Sequence, residues 1–135
     1  MRSVKHNGHK ALTLVEQVLR LEGEFRRSLE SLRVTPLQAG VLFYLQRHME
    51  AKLTDAADAL CLRLPTMSTL MKDLVRKRWV TKHYSVEDRR AVCLSLSREG
   101  LVITKKIEQK VRQVEATLPE QAQRALGMNL KSCRV

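Results

Sequence analysis

Asp88-Arg89-Arg90, a carboxylate followed by two adjacent guanidinium groups, stands directly before Val92, Leu94 and Leu96, which alternate with Cys93 and Ser95. That alternation is the period-two pattern of a half-buried strand. The charges therefore belong to the tip of a hairpin whose second arm is the strand. A turn alone has no need of two arginines side by side, whereas a loop that enters a nucleic-acid groove does, because guanidinium groups bind phosphate and insert into narrow, negative grooves. Just upstream, Pro65-Thr66-Met67-Ser68-Thr69-Leu70 begins an amphipathic stretch reaching Trp79. Its short hydroxyls permit close approach to base edges, and Lys72 and Arg76 follow as candidate phosphate partners.

Charge supports the same reading. The chain of 135 residues has a formal net charge of +11. Residues 63–98 carry nine Lys and Arg against three acids, more than half of the surplus, while residues 34–62 are slightly acidic. A basic excess focused on one helix and one hairpin is the electrostatic footprint of a nucleic-acid binder.

Other chemistries find less support. Cys61, Cys93 and Cys133 are widely spaced, odd in number and without a CxxC pair, so neither a disulfide scaffold nor a zinc ribbon is expected. His6, His9, His48 and His83 show no metal-ligand spacing with a cysteine or a carboxylate, so the sequence predicts no metal and no cofactor. No GxSxG, P-loop or paired-carboxylate motif is present, and an enzyme is not expected. Apolar runs are too short to span a membrane, and Met1 to Lys10 is polar and basic rather than a secretory leader. The expected location is the cytoplasm.

The elements that must position these residues can be read along the chain. Leu12, Val15, Val18, Leu19, Phe25, Leu29 and Leu32 recur at helical spacing, which predicts a long first helix from about His9 to Leu32, interrupted by Gly23. Thr35-Pro36-Leu37-Gln38 has the composition of a capping box with proline in the first turn, opening a second helix to about Arg47. A minimal strand at Ala51 to Leu53 precedes an Ala-rich third helix, capped by Thr54-Asp55 and ending near Cys61. The fourth helix starts at Leu64-Pro65-Thr66 with Met67, Leu70, Met71, Leu74 and Val75 as its apolar stripe. Strands at about Trp79 to Tyr84 and Ala91 to Leu96 flank the charged tip. Ser97 caps a long fifth helix through Leu118; Pro119 ends it, and a last helix covers about Glu120 to Leu130. Three helices, a short turn at Cys61 to Leu64, and a charged hairpin form the order of a winged helix-turn-helix.

At these residues the chain resembles the multiple-antibiotic-resistance regulator (MarR) family. The resemblance rests on Pro65-Thr66-Met67-Ser68-Thr69-Leu70, on Glu87-Asp88-Arg89-Arg90-Ala91-Val92 with its Asp-x-Arg wing pattern, on Leu94-Ser95-Leu96-Ser97-Arg98-Glu99-Gly100, and on Thr35-Pro36-Leu37-Gln38. It covers roughly Leu12 to Leu118. It implies a mainly α protein: a winged helix-turn-helix with long N- and C-terminal dimerisation helices. Residues 1–34 are then an N-terminal dimerisation helix, 35–98 the DNA-binding domain, and 99–135 C-terminal dimerisation helices. The implied function is a dimeric, sequence-specific DNA-binding transcriptional regulator of the repressor type, relieved by a small-molecule effector. Its implied partners are a pseudo-palindromic operator and a second copy of the chain. Two positions depart from the family pattern. Arg78, followed by the bulky Trp79, stands where glycine is usual, so either Arg78 takes a left-handed conformation at some cost or the helix ends differently. Thr69 replaces a common arginine, which predicts shorter base contacts.

The DNA-binding residues expected on this basis are Pro65, Thr66, Ser68 and Thr69 at base edges and nearby phosphates, and Lys72 and Arg76 at phosphates. At the wing, Arg90 is assigned to the minor groove, Arg89 to a phosphate, and Asp88 to orienting the loop, by pairing with Arg90 or accepting loop amides. A ligand pocket lined by Phe43, Tyr44, His48 and Met67 competes with plain core packing, and no ligand site is assigned. The alternatives are a winged-helix protein-interaction module, a regulator with no effector, and one with a redox-active cysteine; buried structural use is the default for Cys61 and Cys93.

Overall fold

The computed structural model describes residues 6–118 together with Glu120 and Arg124. Apart from Glu120 and Arg124, the predicted last helix, the tail and Cys133 lie outside the described residues. The elements are α1 (His6–Leu29), a 3-10 turn (Glu30–Leu32), α2 (Pro36–Arg47), β1 (Ala51–Lys52), α3 (Leu53–Ala59), α4 (Leu64–Arg76), β2 (Val80–Tyr84), β3 (Val92–Leu96) and α5 (Arg98–Thr117). This is a mainly helical winged helix-turn-helix.

Local sequence chemistry sets several boundaries. Thr35 Oγ1 accepts the Gln38 N–H at 3.2 Å while Gln38 Oε1 accepts the Thr35 N–H at 3.1 Å, the reciprocal capping box read from the sequence. Ser97 accepts the Gly100 N–H at 2.9 Å and opens α5. Gly23 causes no break, and α1 runs unbroken through it. The predicted Thr54-Asp55 cap is corrected: α3 begins at Leu53, its N-cap position is Lys52, and no side chain caps it. The physical reason is that Lys52 is still paired with Cys93 in the sheet, so the chain passes from strand to helix without a loop.

Three helical segments end alike, on a non-glycine residue in the left-handed region. Arg33 (φ 56°), Cys61 (φ 55°) and Arg78 (φ 66°) each occupy the position just past the last turn. At each, two main-chain N–H groups turn back onto the helix. Arg33 donates to Glu30 and Val34 to Leu29, Cys61 to Asp58 and Leu62 to Ala57, and Arg78 to Val75 and Trp79 to Leu74. This is the Schellman arrangement, which satisfies carbonyls otherwise orphaned at a helix end. Of the two outcomes open at Arg78, the left-handed conformation is the one present, and the same closure recurs at two further ends.

The three strands form one antiparallel sheet in the order β1-β3-β2. Val80 pairs with Leu96 and Tyr84 with Val92. The strict alternation expected for β3 is broken, because Cys93 and Leu94 are both buried. Leu94 belongs to the main core, and Cys93 faces the opposite side of the sheet. The core gathers Leu29, Val41, Leu42, Leu45, Met67, Leu74, Leu94 and Ile107, so α1, α2, α4, β3 and α5 share one interior. By contrast Leu14, Val15, Val18 and Leu19 of α1 are all exposed.

Gly100 is required where it stands. A Cβ at this position would lie 2.0 Å from the Trp79 carbonyl oxygen. That oxygen accepts the Ser97 N–H at 3.0 Å, and Ser97 Oγ donates to the Arg78 carbonyl at 2.6 Å. The start of α5 is thus tied to the segment leaving α4.

Candidate nucleic-acid interface

Helix α4 is divided cleanly by its sequence. Met67, Leu70, Met71 and Leu74 are buried, while Pro65, Thr66, Ser68, Thr69, Lys72 and Arg76 are all exposed. Every α4 residue expected at DNA is therefore on the open side of the helix. Spacing then separates them. Ser68, Lys72 and Arg76 recur every fourth residue and form one row. This row borders a cleft of about 630 Å³ between α4 and the sheet, whose other walls are Leu53, Met71, Val75, Lys82 and Val92. Arg76 also meets Asp73 at 3.1 Å, with its guanidinium largely in solvent; an exposed pair of this kind contributes at most about 1 kcal/mol and leaves Arg76 open to exchange partners.

Thr69 is less free than the sequence suggests. Its hydroxyl donates to the Pro65 carbonyl at 3.1 Å, a common use of threonine within a helix. Its proton is spent on the backbone and only acceptor capacity faces outward. Lys82 is a residue the sequence reading did not single out. It was counted in the basic segment, but only the register of β2, in which Lys82 opposes Leu94, brings it to the cleft beside Lys72 and Arg76. Lys77 is drawn away from any such role: its ammonium donates to the Arg33 carbonyl at 2.8 Å and lies 4.7 Å from the centre of the Trp79 ring.

The hairpin tip is a tight turn built by Asp88. The Asp88 carbonyl accepts the Ala91 N–H at 2.9 Å, which places Arg89 and Arg90 at the two corner positions of a four-residue turn. The Asp88 carboxylate accepts the Arg90 N–H at 3.0 Å. Of the two roles considered for Asp88, the geometry selects the loop amide rather than the guanidinium. Ser85 closes the base of the loop. Its hydroxyl accepts from Glu87 and Asp88 at 3.2 and 3.4 Å, and its N–H donates to Ala91 at 3.0 Å. Among the described residues no carboxylate pairs with the exposed side chains of Arg89 or Arg90.

The residues considered for a ligand pocket pack instead. Met67 is fully buried in the core. Tyr44 stacks on His48 with ring centres 4.1 Å apart, and His48 Nδ1 lies 3.0 Å from the Tyr44 carbonyl oxygen. Cys93 is buried, but Cys61 is exposed, which corrects its expected use as a small core side chain. The left-handed turn that ends α3 carries its thiol outward. His83, isolated in the sequence, stands 3.3 Å from Glu50.

Residues 34–91 match the sequence model of the MarR family. The HTH-type transcriptional repressor MdtR of Bacillus subtilis is 33% identical over 90 residues, covering 66% of this chain and 57% of that protein. The chain thus spans little more than half the length of this curated relative. A mutant of Escherichia coli MarR complexed with operator DNA shares the fold at a TM-score of 0.75 and 19% identity, over 93% of each chain. Bordetella bronchiseptica BpsR, whose structure concerns regulation of its DNA binding by 6-hydroxynicotinic acid, shares it at a TM-score of 0.76 and 18% identity, over 86% of each chain. Its capping box, the two-sided helix α4 and the arginine-bearing hairpin lie within or beside the matched segment, and the family model, the curated relative and the shared fold all point to the MarR family.

Proposed function

We propose that this protein is a dimeric transcriptional regulator of the repressor type that binds a pseudo-palindromic duplex operator. The observation that carries the reading is the basic cleft, where Lys72 and Arg76 of α4 meet Lys82 of β2 around an open groove with Ser68 at its edge. In this reading Pro65, Thr66 and Ser68 approach base edges in the major groove, Thr69 accepts from a base or water, and Lys72, Arg76 and Lys82 neutralise phosphates. Arg90 enters the adjacent minor groove and Arg89 holds a phosphate. Asp88 contacts no DNA and fixes the turn.

Residues 35–98 read the DNA, and residues 1–34 and 99–135 assemble the dimer. The exposed row Leu14, Val15, Val18 and Leu19 supports that assignment, since a contiguous apolar helix face in water calls for a partner. Two recognition helices related by a two-fold axis then address half-sites about one helical turn apart. The protein works in the cytoplasm, and a small-molecule effector relieves repression. The regulation of DNA binding by 6-hydroxynicotinic acid in BpsR, which shares the fold, supports such an effector.

The test is selection of bound duplexes from a random pool, followed by titration at fixed salt. The expected result is an inverted repeat bound at least about a thousandfold more tightly than random duplex. Equal, strongly salt-dependent affinity for all duplexes would overturn the reading and favour an interaction module on the same scaffold.

A further inference from the structure

On the face of the sheet turned away from the core, three different donor side chains converge. His83 of β2 lies directly opposite Cys93 of β3, and Lys52 of β1 opposes Cys93 from the other edge. Directly paired residues project to the same face. Glu50, two residues before Lys52, falls on that face too. One ligand atom from each of Glu50, His83 and Cys93 lies within 4.8 Å of the others, and His83 Nε2 is 3.3 Å from Glu50 Oε1. The thiol is buried at 5% exposure, whereas Glu50 and His83 are open to solvent. A cleft of about 320 Å³ lined by Glu50, Lys52, Ser85, Val86, Glu87 and Cys93 leads to it.

We propose that Glu50, His83 and Cys93 form a binding site for a divalent transition-metal ion of the zinc class. A thiolate, an imidazole and a carboxylate are the donors such an ion takes, whereas calcium and magnesium require oxygen donors throughout. Zinc bonds of about 2.0 to 2.3 Å in tetrahedral array put neighbouring donors about 3.3 to 3.8 Å apart. The Glu50–His83 separation already meets that spacing, and closing the thiol onto it takes a shift on the order of 1 Å, within side-chain reach. On binding, the Cys93 thiol releases its proton to solvent as the sulfur–metal bond forms, and His83 binds through a neutral ring nitrogen. Thiolate and carboxylate together balance the charge of the ion. Lys52 on the same wall works against it and limits its affinity. A fourth position is left for water or for the Glu87 carboxylate across the cleft. The ligands come from the segment before β1, from β2 and from β3, so the bound ion clamps all three strands.

Cobalt(II) titrated into the reduced, metal-free full-length protein tests this directly. One equivalent is expected to give a thiolate-to-cobalt charge-transfer band with the strong visible bands of a tetrahedral site, and zinc is expected to displace it. Cys93→Ser should abolish the charge-transfer band. His83→Gln and Glu50→Gln, at exposed positions where folding is not at stake, should each weaken cobalt binding by at least about tenfold, the lower range for losing even an outer-shell partner. Absence of the band at equimolar cobalt, its persistence in Cys93→Ser, or unchanged affinity in both exposed variants would overturn the proposal.

Discussion

The carboxylate of Asp88 is bound to the main chain of Arg90, not to its guanidinium, with Oδ1 accepting the Arg90 N–H at 3.0 Å. The acid therefore shapes the turn and leaves both arginine heads free to meet a partner. Asp88→Ala is expected to loosen the turn, weakening operator binding and lowering fold stability by at most about 1 kcal/mol, the scale of one lost hydrogen bond. Asp88→Asn retains an oxygen that can accept and should keep most of the affinity. If asparagine proves as damaging as alanine, the charge of Asp88 matters in a way the turn does not explain. Fluorescence anisotropy with the selected duplex distinguishes these outcomes.

Arg90 and Lys72 should fail differently. Arg90→Ala is expected to cost about 1 to 3 kcal/mol on the operator and to relax preference at the wing-contacted base pairs. Lys72→Ala should weaken binding nearly uniformly across sequences and lower the slope of log affinity against log salt by about one. Identical salt slopes for wild type and Lys72→Ala would remove Lys72 from the interface.

The end of α4 offers a stability test with two signs. Arg78 holds φ at 66°, a conformation glycine adopts without the Cβ clash. Arg78→Gly should therefore stabilise the fold by about 0.5 to 1 kcal/mol, whereas Arg78→Ala keeps the Cβ and brings no such gain. Gly100→Ala, which drives a Cβ to within 2.0 Å of the Trp79 carbonyl oxygen, should destabilise it by about 3 kcal/mol or more. Urea denaturation measures all three. A destabilised Arg78→Gly would contradict the strain assigned to that residue.

The open face of α1 carries the assembly prediction. Val15 and Leu19 are 57% and 65% exposed and lie one turn apart. Replacing both with glutamate should yield a folded monomer by light scattering, with operator affinity lowered more than about tenfold through loss of the linked second half-site. A variant that remains dimeric would move the interface elsewhere.

Local features were legible in the sequence, and features that depend on distant pairing were not. The Thr35–Gln38 box and the Ser97 cap involve neighbours three residues apart, so residue type alone announced them. The division of α4 into Met67, Leu70, Met71 and Leu74 against its polar side followed from helical periodicity. The start of α3 was misread because Lys52 is held extended by Cys93, a residue far along the chain. Lys82 and the Glu50–His83–Cys93 cluster stayed hidden for the same reason: the sheet register, not any spacing, creates them. The outward thiol of Cys61 was missed because nothing at Cys61 itself marks a left-handed helix end.

Ser97 serves two helices with one hydroxyl, donating to the Arg78 carbonyl at 2.6 Å and accepting the Gly100 N–H at 2.9 Å. In mechanical terms it is a pivot pin. The twenty residues of α5 make a lever about 30 Å long, mounted on that pin against the exit of the recognition helix. Displacing the far end of the lever by about 3 Å turns it through roughly 6°, a rigid-body tilt set by helix length alone. Gly100 is seated so closely against the Trp79 carbonyl that even a Cβ would clash, so such a tilt, if the proposed dimer imposed it on α5, would be passed to the segment between α4 and β2.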